Sequence, residues 1–135
     1  MPQALILPMA AHVMLTAFLY VLLTIARAPA VWGLGRRSDE SNPLSAIEPK
    51  ISANLSNQFE WPLFFYVACL FLQFQATQTV VALAWIFVGG RILHSAVQIF
   101  TSNVRLRGLV FTINFLAVIG LWYFVISASG EAATA

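Results

Sequence analysis

Arg91 and His94 stand three residues apart inside a long apolar run, and Gln98 follows one turn later. On a helix the three share one face. Insertion scales put the cost of a central arginine in a bilayer at about 2.5–3.5 kcal/mol, so such a residue faces a protein interior or a wet cavity. Gly89 and Gly90 precede the stripe and allow another helix to approach closely. Earlier in the chain, Asn57 and Glu60 offer an amide and an opposite charge. A polar cluster of this kind either binds a polar ligand or fixes helix packing through buried hydrogen bonds. Spacing alone favours neither.

The elements that must position these residues are membrane helices. Of 135 residues, 60% are hydrophobic and 9% charged, against roughly 45–50% and 25% in soluble domains. So much apolar surface implies an integral membrane protein of one domain. The net charge of +2 is small and dispersed, which argues against a nucleic-acid partner. Cys69 is the single cysteine and is expected to pack as a small hydrophobe.

Hydropathy predicts an all-α, four-transmembrane-helix bundle with spans at about 4–26, 57–76, 80–100 and 109–127. Residues 27–50 form a polar loop holding Arg27, Arg36, Arg37, Asp39, Glu40, Glu48 and Lys50, broken by Pro29, Pro43 and Pro49. Ser45 and Glu48 have capping-box spacing, so a helix is expected to start near them, with Pro49 in its first turn. Pro62 should kink the second segment. His12, in the first, reads as a packing histidine bonded to a neighbouring helix.

Six of the seven basic residues lie in or beside the first and third loops, and the seventh is Arg91. The positive-inside rule places those loops in the cytoplasm and both termini on the other side. Taking the second and third spans as a hairpin turning near Thr77, Glu60 comes level with His94, and Asn57 with Gln98. Across the next turn Asn114 falls near Arg91, with Arg107 on the same face. Asn57, Glu60, Arg91, His94, Arg107 and Asn114 are thus expected to converge, with Glu60 offsetting the charge of Arg91.

Asn57-Gln-Phe-Glu60 before Trp61-Pro62, then Gly90-Arg91-Ile-Leu-His94, then Arg107 before the last span, resemble the MAPEG family, the membrane-associated proteins of eicosanoid and glutathione metabolism. The resemblance implies a homotrimer of four-helix bundles that binds glutathione between subunits, near the cytoplasmic side. Asn57, Glu60, Arg91 and His94 match positions lining that site, and Arg107 matches the arginine that stabilises the thiolate. A cation beside a thiol favours its charged form, which could attack a lipophilic electrophile or peroxide arriving from the bilayer. The pattern departs from the family's glutathione binders at Ala53, where an arginine is typical, at Ser56, often basic, and at Gln98 and Phe111, where tyrosines are frequent.

Three functions follow as candidates. The first is a glutathione-dependent transferase or peroxidase with a lipophilic substrate. The second is a non-catalytic accessory or lipid-binding subunit of a membrane complex. A small transporter is the third, although no repeat or broken-helix pair supports it.

Overall fold

The computed structural model describes residues 4–33 and 44–134, with side chains as far as residue 130. Arg36, Arg37, Asp39, Glu40 and Pro43 lie outside the described residues. All the regular structure described is helical: α1 (Ile6–Trp32), α2 (Glu48–Asn57), α3 (Pro62–Leu72), α4 (Gln78–Phe100) and α5 (Val104–Thr134). Three helices, α1, α4 and α5, are long and apolar enough to cross a membrane.

Several boundaries differ from the hydropathy reading. α1 continues through Arg27 and Pro29 to Trp32, where Gly33 takes a left-handed conformation (φ 67°) and ends it. α5 starts five residues earlier than the apolar run, because Asn103 Oδ1 accepts from Leu106 N (3.0 Å) and caps its first turn. The helix expected near Ser45 does begin at Glu48, with Pro49 in its first turn. No side-chain cap forms there; Glu48 instead accepts from Arg27 Nε at 2.7 Å, joining α2 to α1. That pair is half exposed on the arginine side and contributes at most about 1 kcal/mol.

The second segment is divided rather than merely kinked. Pro62 has no N–H to give the carbonyl of Gln58, and its ring crowds the turn before it. The backbone tightens to three-residue bonds on both sides, from Gln58 N to Leu55 O, Phe59 N to Ser56 O, Leu63 N to Glu60 O and Phe64 N to Trp61 O. Residues 58–61 separate α2 from α3.

Two apolar cores flank a polar layer. Along α4, Val80, Ala84, Phe87 and Val88 pack with Phe65, Cys69, Val118 and Leu121. Phe65 and Phe87 stack with ring centres 4.2 Å apart. At the other end Ile99 joins Leu19, Leu23, Ile51 and Leu55. Between these cores α4 buries Arg91, His94, Ser95 and Gln98. The first segment repeats the order, with Leu5, just before α1, in the first core, buried His12 in the layer and Leu19 in the second core. Outside, Leu7, Met14, Val21, Phe71 and Ile126 are exposed, as lipid-facing side chains are in the absence of water.

Candidate functional site

The centre of the polar layer is Gln58, a residue that carries no charge and sits at the helix interruption. Its Oε1 accepts from Arg91 Nε (3.1 Å) and from His12 Nε2 (3.0 Å). Its Nε2 donates to Ser95 Oγ (3.2 Å) and Asn54 Oδ1 (3.2 Å). Asn54 Nδ2 and Asn57 Nδ2 both donate to Gln98 Oε1, at 3.0 and 3.3 Å. The orientation of every amide follows from Arg91, which can only donate. It fixes Oε1 of Gln58; Gln58 then fixes Asn54, and Asn54 fixes Gln98. His12 accordingly donates through Nε2 and accepts the Tyr66 hydroxyl at Nδ1 (2.7 Å).

The interruption makes room for Arg91. With the helical ladder broken, no residue of 58–61 donates to the carbonyl of Asn57, and Arg91 Nη2 does so at 3.0 Å. Burial of this arginine (1% exposed) is therefore matched by two acceptors from the joint that Pro62 creates. Glu60, expected to offset Arg91, is exposed, and among the described residues the only ion pair is Arg27–Glu48. Neutral acceptors hydrogen-bond the guanidinium, while Glu60, on the wall of the same cavity, still favours its charge electrostatically.

On one side of the layer lies a cavity of about 380 Å³ lined by Asn57, Glu60, Trp61, Phe64, Arg91, His94 and Phe111. Four of the residues expected to converge thus share a single cavity. His94 is 4% exposed and makes no hydrogen bond among the described residues; Nδ1 is sealed, which leaves Nε2 as the nitrogen open to the cavity. Arg91 likewise has Nε and Nη2 engaged while Nη1 is neither bonded nor sealed. Asn57, Glu60 and three aromatic rings complete the walls: Trp61 stacks on Phe115 with centres 5.0 Å apart, and the Phe111 ring centre lies 6.1 Å from that of His94.

Arg107 does not line that cavity. It borders an adjoining one of about 240 Å³ with Lys50, Gln98, Ser102 and Val104, and is exposed. Asn114 is wholly buried against α4, where a β-carbon on Gly90 would overlap its Oδ1, and both its side-chain polar atoms lack partners. Gly89 touches nothing comparable. Reading the sequence missed Gln58, Asn54, Ser95 and Tyr66. The available signal was the stagger of Asn54 and Gln58, four residues apart, facing the same stripe as Gln98.

No curated protein and no solved structure matches the chain significantly. The sequence model of the MAPEG family, however, matches residues 5–127, nearly the whole chain. Buried polar helices, an interrupted second segment and an Arg91–His94 pair opening on one cavity are thus the local form taken by an integral, multi-pass membrane protein that belongs to the MAPEG family.

Proposed function

We propose that this cavity is the site of a glutathione-dependent transferase or peroxidase acting on lipophilic electrophiles. The reading is carried by one observation: Arg91 and His94, both buried and each with a nitrogen free of hydrogen bonds, line one cavity together with Asn57, Glu60 and three aromatic rings. The residues suit a small zwitterionic thiol. Arg91 offers a fixed cation to a carboxylate or thiolate, Glu60 a carboxylate to an amine, and Asn57 an amide. His94 Nε2 can accept the thiol proton or hydrogen-bond to the sulfur. In conjugation a carbon–sulfur bond forms at the electrophile and the displaced group leaves with its electron pair. Phe64 and Phe111 would receive the apolar part of that electrophile from the bilayer.

Arg107, the arginine that the family pattern assigns to the thiolate, lines the neighbouring cavity, so Arg91 takes that role in this proposal. A homotrimer, with the cavity closed by an adjacent copy, completes it. Titration calorimetry of the detergent-solubilised protein with glutathione, followed by conjugation of 1-chloro-2,4-dinitrobenzene, is the test. Binding that is weakened in His94→Phe, with conjugation in the wild type, is the expected result. If glutathione does not bind, the site is not catalytic, and the accessory or lipid-binding role takes its place. That second reading draws support from Gln98, which turns its oxygen into the layer and puts no hydroxyl in the cavity.

A further inference from the structure

The smaller cavity, where Arg107 sits, combines two cations with amide and hydroxyl side chains between two valines. Lys50, Val97, Gln98, Thr101, Ser102, Asn103, Val104 and Arg107 line it, with no acidic side chain among them. Gln98 is its buried floor at 7% exposure. The amide chain that starts at Arg91 turns Gln98 Oε1 inward, onto Asn54 and Asn57, and so presents Nε2 outward. Among the described residues that Nε2 has no partner, and it is not sealed from the cavity. Arg107 has no hydrogen-bond or ion-pair partner among the described residues either. Lys50 Nζ reaches Thr101 O (3.3 Å) and Ser102 Oγ (3.4 Å) through long bonds and caps the carbonyl end of α4. The first turn of α5 begins at the same place: Asn103 caps Leu106 N, and both Asn103 and Val104 line the cavity.

We infer that this cavity binds a phosphate group, supplied by the headgroup of an anionic phospholipid. Two cations, a buried amide donor and a helix N-terminus converge on one volume, which is the composition that a tetrahedral oxyanion requires. Its position supports the lipid as the source. The start of α2, the end of α4 and the start of α5 meet there, so the cavity lies at the ends of the membrane helices, at headgroup depth. Gln98 also links the two cavities, because the oxygen opposite its free Nε2 accepts from Asn57, which lines the larger one.

Native mass spectrometry of the purified protein, presented with phosphatidylglycerol or phosphatidylcholine, tests the assignment, and thermal unfolding with inorganic phosphate separates the sources. The wild type should retain phosphatidylglycerol about tenfold more than phosphatidylcholine. Lys50→Glu and Ser102→Glu, the second at an exposed position outside the buried layer, should each abolish that preference. Arg105→Gln, which lies outside the cavity, should keep it. Stabilisation by inorganic phosphate without lipid preference would assign the site to a soluble phosphate ester. The inference is overturned if both lipids are retained equally and phosphate has no effect. It is equally overturned if folded Lys50→Glu and Ser102→Glu keep the preference, or if Arg105→Gln loses as much as they do, since the attraction would then be diffuse. None of these outcomes depends on glutathione binding.

Discussion

Replacing Gln58 by leucine tests whether the buried layer depends on one neutral side chain. The volume hardly changes, so the loss is one of hydrogen bonds. Arg91 Nε and His12 Nε2 lose their shared acceptor, and Ser95 Oγ and Asn54 Oδ1 lose their donor. A bond to a charged group is worth about 1.5–3 kcal/mol and a neutral one about 1. Measured values inside membrane bundles are smaller, about 0.6 on average. Arg91 also keeps the carbonyl of Asn57. Together these place the loss at about 3 kcal/mol. Reversible unfolding in mixed detergent micelles would read it, with Gln75→Leu, an exposed position in the α3–α4 turn, as a control expected to stay within about 0.5 kcal/mol. Gln58→Glu retains an acceptor for both Arg91 and His12 and should lose less than Gln58→Leu. A cost below about 1 kcal/mol for Gln58→Leu would refute the hub, because buried donors would then be finding other partners at no loss. Glu60→Gln, at an exposed carboxylate without a bonded partner, should cost under about 1 kcal/mol.

The two adjacent glycines should behave oppositely. Gly90→Ala drives a β-carbon into Asn114, with Cγ at 3.1 Å, and should lower stability by about 1–3 kcal/mol. Gly89→Ala has open space and should gain up to about 1 kcal/mol of helix propensity; thermal unfolding of the pair decides it. For topology, a cysteine at Ser102 in a Cys69→Ala background should react with impermeant maleimide only after the membrane is opened, and one at Gln75 should react in intact cells. The reverse pattern would invert the proposed orientation. Native mass measurement in mild detergent should give three copies per particle, and a stable monomer would remove the adjacent copy from the proposed site.

Charge made part of the site legible from the sequence. Arg91 and His94 interrupt an apolar run, an ion there demands an explanation, and the fold brings both to the wall of one cavity. The hub was not legible for the opposite reason. Gln58 and Asn54 lie in a stretch already rich in polar residues, where another amide carries no signal. The charged residue beside them, Glu60, was the more visible partner; it shares the cavity with Arg91 and acts on its charge, but the hydrogen bonds go to Gln58 and Asn57. Pro62 announced a kink, but whether a proline bends or divides a helix depends on what takes up the freed carbonyls. Here that is the side chain of Arg91, 34 residues from Asn57 in the chain, about which local sequence says nothing.

The divided second segment bears on how the chain enters the bilayer. α2 is ten residues and α3 eleven, each about 15–17 Å long, roughly half of a hydrocarbon core. Only α3 is apolar throughout. Neither piece is long enough to settle across the bilayer on its own. α4 has the opposite defect: it is long enough but carries Arg91. Each supplies what the other lacks, since the joint offers the acceptors and Arg91 the donors. The two segments are therefore expected to enter as one hairpin, after α4 has been synthesised, which makes a single proline a determinant of the order of insertion.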